Sequence, residues 1–152
     1  MDIEVARAQV EDIEDLMVLM RAFYKESQYP FESMRAESAV VGLIRNPDLG
    51  AAWIFRAVGR AVGYLIVTFG YSIEFGGRDA FVDELFVLER DRGHGIGSRA
   101  LELAESHCRE HGVASLHLEV ERGNRRARLL YEQSGYKAHE RYVMTKWLSD
   151  SE

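Results

Sequence analysis

Cysteine is almost missing from this chain. Its one thiol, Cys108 among 152 residues, cannot close an intramolecular disulfide or build a cysteine-rich metal site, and its setting among helical residues reads as a core thiol in a reducing compartment. Proline is scarce as well. Pro30 and Pro47 are the two in the chain, and each stops a helical pattern rather than opening a linker. Repeats and low-complexity tracts are absent. No stretch approaches the length and apolarity of a spanning helix, so no membrane is expected as a partner. Positive charge is not in excess: 19 Lys and Arg stand against 25 Asp and Glu, a formal net charge of −6, which argues against a nucleic-acid binder. The local run "RGNRRAR" (Arg122 to Arg128) is the exception and could face phosphate. An acidic chain with one basic patch suggests an anionic ligand held locally. The start, "MDIEVARAQVEDIEDL", is acidic and mixed where a secretory signal needs a basic start and an apolar core, so a cytoplasmic location is expected. His94 and His139 lack companions at ligand spacing, and no metal is assigned.

What is present suits one α/β domain over residues 1–152, long enough to bury a core without staples. After a short strand (Ile3 to Arg7), Ile13, Leu16, Met17, Met20, Phe23 and Tyr24 fall at the three- and four-residue spacing of an amphipathic helix. Residues Arg35 to Arg45 repeat that pattern and stop at Asn46-Pro47. "AAWIFRAV" and "AVGYLIVTFGYS" are rich in β-branched and aromatic residues and predict two antiparallel strands joined at Gly59-Arg60. "FGGRD" (Phe75 to Asp79) turns the chain into a strand from Ala80 to Leu88. A helix is predicted from Ile96 to His111 with Gly112 as its C-terminal cap. "ASLHLEV" is a further strand, Asn124 caps a helix closed by Gly135, and "HERYVMTKWL" (His139 to Leu148) predicts a last strand. The order β-α-α-β-β-β-α-β-α-β implies a mixed central sheet flanked by helices.

The stretch "FVDELFVLERDRGHGIGSRALELAE" carries the strongest chemical signal. Gly93, Gly95 and Gly97 alternate between a strand and a helix. A helix N-terminus presents unpaired N–H groups and partial positive charge, and glycines there let a phosphate lie close to the backbone. A P-loop requires Lys followed by Ser or Thr after the last glycine, whereas Ser98-Arg99 follow here. A dinucleotide fingerprint fits poorly too, because its third glycine is Ser98 and the N-terminal half does not alternate strand and helix.

"LERDRGHGIGSRAL" resembles the acyl-CoA pyrophosphate loop of the GNAT superfamily of N-acetyltransferases: Gln or Arg, two residues, Gly, one residue, then Gly or Ala. Both Arg90/Gly93/Gly95 and Arg92/Gly95/Gly97 match. "NRRARLLYEQSGYKAHER" is similar to that family's second block, with Asn124, Ala127, Leu130, Tyr131, Gly135 and Tyr136 in its places. The resemblance covers residues 1 to 148, and "VDELFVLERDRGHGIGS" leans toward the small-molecule branch that includes diamine and polyamine acetyltransferases.

The resemblance implies acetyl-CoA as co-substrate and central strands that splay apart to hold it. Leu85, Phe86 and Val87 would lie on a bulged strand that offers N–H groups to pantetheine and the thioester. Arg92, Gly93, His94, Gly95, Ile96, Gly97 and Ser98 would hold pyrophosphate by backbone N–H groups, and Asn124 and Ala127 would border the cofactor. Tyr131 would be the acid for the leaving thiolate. Glu84 or Asp83 would relay the proton of the attacking amine through water; as strand neighbours they are expected on opposite faces. Tyr24, Glu26, Tyr29 and Phe31, opposite "YSIEFGGRD", would line the acceptor, and aromatics with carboxylates suit a small cationic primary amine. A protein lysine or N-terminal acetyltransferase and a non-catalytic acyl-CoA-binding module are the alternatives. A homodimer is left open.

Overall fold

The computed structural model describes residues 1–149, and its sheet explains why so many of its strands are apolar on both faces. Five strands lie in the order β1 (Ile3–Arg7), β2 (Gly50–Ala57), β3 (Arg60–Ser72), β4 (Gly77–Val87) and β5 (Ser115–Leu118). The first three junctions are antiparallel and the last, between β4 and β5, is parallel. Helices α1 (Ile13–Glu26) and α2 (Ser33–Arg45) precede β2, α3 (Ile96–Glu110) crosses between β4 and β5, and α4 (Arg125–Gln133) follows β5.

Each face of the sheet has its own core. Ala51, Trp53 and Phe55 of β2 pack with Leu65, Val67, Ala80 and Val82 under Ile96, Ala100, Leu101 and Ala104 of α3. Ala52 and Ile54, the alternate residues of the same strand, pack with Tyr64, Ile66 and Phe86 under Leu16, Leu19 and Met20 of α1 and Val40 and Leu43 of α2. The two-residue period of a strand therefore sends successive β2 side chains into different cores, which leaves no polar face to be read as an alternation. Glu32 caps α2, its carboxylate accepting from the N–H groups of Met34 and Arg35, so that helix starts two residues before the expected Arg35.

Two expectations are corrected. The hairpin between β2 and β3 turns on Val58-Gly59 rather than Gly59-Arg60, because Arg60 already pairs with Ala57. The expected strand from His139 to Leu148 is not formed: no regular structure follows α4 among the described residues. Strand propensity needs an edge to pair with, and the contacts this segment makes are through side chains. Arg141 forms a two-pronged ion pair with Glu74, both contacts at 2.7 Å, and the Arg35 guanidinium lies 5.0 Å from the ring centre of Trp147.

Val58 is exposed and has φ +50°, and Gly59 has φ +77°. Both central residues of the turn thus take the positive φ of a type I′ turn, which a β-branched side chain tolerates badly. Val58→Asn is expected to stabilise the fold by about 1 kcal/mol, a rise in Tm of roughly 2–4 °C in thermal unfolding. A Tm at or below wild type would show that the turn bears no strain.

Candidate active site

The site forms where β4 hands over to α3. A short 3-10 turn, Glu89–Asp91, follows β4. Its Asp91 is 2% exposed and accepts both prongs of the Arg60 guanidinium at 3.0 and 2.9 Å, which holds the carboxyl below its ordinary range. The loop beyond it is thereby anchored to the start of β3. Gly93 and Gly95 then adopt φ of +83° and +79°, conformations that favour glycine. From Gly93 to Ser98 no backbone N–H finds a carbonyl among the described residues, so His94, Ile96 and the rest of this turn present a nest of donors at the positive end of α3. Arg92 differs from the expectation: its N–H already donates to the Glu89 carbonyl, and the run of unpaired N–H groups begins one residue later. Gly97 has another role, since a Cβ there would sit 3.1 Å from Leu130 of α4. It allows the two helices to touch.

Beside this nest the sheet opens. β4 and β5 pair from Asp79↔Ser115 to Val82↔Leu118 and no further, so the stretch from Asp83 to Val87 has no neighbour on its β5 side. The same point carries a bulge. Ile66 faces Glu84 while Val67 faces Val82, which leaves Asp83 as an extra residue in the ladder. The bulge thus sits just ahead of Leu85, Phe86 and Val87, and it overturns the expectation that Asp83 and Glu84 point to opposite faces. Val82 and Leu85 both belong to the α3-side core; between them Glu84 meets Tyr24 and Tyr64, and the Asp83 charge acts on the same three groups, so the two carboxylates lie toward the α1–α2 side.

Glu84 is the hub of that side. Its Oε1 accepts from the Tyr64 hydroxyl at 2.7 Å, and its Oε2 accepts from the Tyr24 hydroxyl. Burial raises the Glu84 carboxyl above its ordinary range; the two phenols oppose that rise and the charge of Asp83 adds to it. Asp83 is exposed as a residue, yet partial loss of solvent around its carboxyl, and after it the charge of Glu119, raises it as well. The phenols of Tyr24 and Tyr64 are pushed far up, by burial first and by Glu84 next. Tyr64 is a functional neighbour that sequence reading missed. It is 0% exposed in an apolar strand, and only the strand register sets it diagonally opposite Glu84.

The remaining candidates divide. Phe31 meets Tyr24 edge-on at 5.3 Å, extending the aromatic wall. Tyr29 donates to Glu121, and Glu26 is held by Arg92 at 2.7 Å; both reach the site's rim with their polar atoms already engaged. Opposite them, Phe75 of the β3–β4 turn lies 4.4 Å from the ring of His117. On α4, the Asn124 side chain caps the helix through the N–H of Ala127 at 3.2 Å. Tyr131 is half-buried against the same α3-side core as Leu85, Val87 and Leu118, the residues flanking the opening. Burial raises its phenol. Carboxylates and a protonated phenol therefore belong to opposite faces of the opened sheet. No group of three or more metal-ligating side chains occurs among the described residues.

The model of the Acetyltransferase (GNAT) family matches residues 13–136. In sequence, the chain is 28% identical over 123 residues to the Uncharacterized N-acetyltransferase YhfO of Bacillus subtilis (strain 168), covering 81% of this chain and 80% of that one. In structure, it resembles the integron cassette protein HFX_CASS3 from the mobile metagenome of Cole Harbour Salt Marsh, with a TM-score of 0.84, 32% identity and coverage of 95% and 90% of the two chains. It also resembles a predicted acetyltransferase from Clostridium acetobutylicum solved with acetyl-CoA, with a TM-score of 0.81 and 16% identity over 95% and 96% of the two chains.

A side chain at Gly95 would force the turn out of its positive φ and scatter the donors around it. Gly95→Val is expected to weaken acetyl-CoA binding by roughly tenfold or more, about 1.4 kcal/mol, in calorimetry. Unchanged affinity would mean that the turn does not hold the pyrophosphate.

Proposed function

Since the chain belongs to the GNAT family of acetyltransferases, for which acetyl-CoA is the co-substrate, we propose that it acetylates the primary amine of a small cationic molecule by direct transfer. The observation that carries the acceptor class is the bulge at Asp83, which turns two carboxylates to one face beside the open strand edge. Tyr24 and Phe31 add aromatic faces to that acidic wall. An ammonium group is attracted by both.

Each chemical task has a residue suited to it. The N–H groups from Gly93 to Ser98 bind the pyrophosphate, and the unpaired edge at Leu85 to Val87 receives the pantetheine arm and the thioester carbonyl. Asp83 and Glu84 hold the ammonium and accept its proton through water, which frees the nitrogen lone pair for attack on the thioester carbon. The new C–N bond forms first, the C–S bond breaks as the tetrahedral intermediate collapses, and the proton that the acylated nitrogen then sheds restores the Tyr131 phenol through water. Tyr131 gives its proton to the departing thiolate; its raised phenol keeps that proton at neutral pH. Transfer by way of the protein's own thiol is disfavoured, because Cys108 is buried in the α3-side core and burial raises its pKa.

Two measurements test this reading. Tyr131→Phe is expected to lower kcat about 10²-fold with acetyl-CoA affinity near wild type, the signature of a lost acid rather than a lost binding contact. Wild-type turnover would leave the tyrosine as packing. For the acceptor, a panel of diamines, amino acids, aryl amines and lysine peptides is scored by acetyl-CoA-dependent thiol release across pH. Cationic small amines should lead, with kcat/KM rising toward the amine pKa near 10 as the neutral fraction grows, and Glu84→Gln should raise KM or flatten that rise. Preference for neutral aryl amines or for lysine peptides alone would overturn the acceptor class and leave acetyl transfer standing.

A further inference from the structure

Arg92 opens the glycine turn, yet its guanidinium points away from the nest. Only 20% of the side chain is exposed, and its contacts reach three other places. Nε donates to the carbonyl of Val87, the last residue of β4, at 2.9 Å. A terminal nitrogen donates to Oε2 of Glu26, the last residue of α1, at 2.7 Å. The guanidinium carbon lies 5.6 Å from the ring centre of Phe86, which in turn stacks on Phe23 of α1 at 5.2 Å. Arg92 is thus a stitch between the end of the donor strand and the end of the helix that forms the acceptor wall.

The far end of that stitch is a tight turn. Gln28 takes φ +61°, the Tyr29 N–H returns to the Tyr24 carbonyl at 2.9 Å, and the Gln28 N–H returns to Lys25 at 3.2 Å. This is the closure expected when a helix ends on a left-handed residue. Tyr24, Glu26 and Tyr29 are therefore tied into one turn by backbone hydrogen bonds, with Tyr24 hydrogen-bonded to Glu84 and Tyr29 to Glu121. The Arg92–Glu26 pair is the ion pair that joins this unit to the glycine turn among the described residues. With its Glu26 partner half-exposed, the pair contributes little stability by itself. A forked, mostly buried guanidinium contributes geometry.

We propose that Arg92 is a positioning residue that couples the two substrate sites: acetyl-CoA orders the glycine turn, and Arg92, acting through Glu26, fixes the Tyr24–Tyr29 turn that forms the acceptor wall. This rests on the glycine turn being the acetyl-CoA site. The coupling is a difference in order between free and bound forms and belongs to both ligands reciprocally.

Hydrogen exchange of peptides spanning residues 23–33, with and without acetyl-CoA, reads the coupling without needing the acceptor. In the wild type, saturating acetyl-CoA should slow exchange there about fivefold, at the low end of typical coupling. Glu26→Ala should bind acetyl-CoA with near wild-type affinity by calorimetry and lose that slowing, and Glu26→Gln, which keeps an oxygen for the guanidinium, should recover part of it. Equal slowing in wild type and Glu26→Ala, or a wild type that binds acetyl-CoA with no change in residues 23–33, would overturn the proposal alone. A wild type that does not bind acetyl-CoA would overturn it together with the cofactor reading.

Discussion

The site depends on the end of pairing between β4 and β5 at Val82 and Leu118. Two parallel strands that stay joined leave no room for a ligand and bury each other's N–H groups. Separation exposes the β4 edge from Asp83 onward, and an unpaired strand edge is a ready receptor for another extended chain of amides. The bulge at Asp83 occurs at the same place. It bends the strand, resets which face each side chain takes, and puts Asp83 and Glu84 on one wall.

Around that opening the fold arranges opposite electrostatic conditions a short distance apart. On the α3 side the helix N-terminus and its free N–H groups favour an anion. On the α1 side Glu84 gathers two phenols and raises its own affinity for protons by burial. An anionic group and a cationic group would be drawn to different rims of one gap. Asp91 and Arg60 make this affordable by anchoring the loop from behind, where neither rim is disturbed.

Much of the frame was legible because it is local. The stripe from Ile13 to Tyr24, the Asn124 cap and the glycine turn each state their geometry within a few residues. The three glycines nevertheless proved unlike one another: Gly93 and Gly95 answer to backbone angle, Gly97 to the Leu130 side chain on a helix more than thirty positions away in sequence. The strand expected from His139 to Leu148 failed for the converse reason. Its residues favour a strand, but Arg141 finds Glu74 and Trp147 finds Arg35, partners that no short window contains.

The sequence by itself determined the element order through α4, the glycine turn before α3 and the family motifs, since spacing along the chain is enough to specify a helix face, a cap or a tight turn. Tertiary structure alone decided which carboxylates share a wall, that Tyr64 belongs with Glu84, and that Arg92 reaches across to Glu26. Those facts follow from strand register and from a single extra residue in one ladder. A one-residue change of register sends a side chain to the other face of a sheet, and register is set by partners far along the chain.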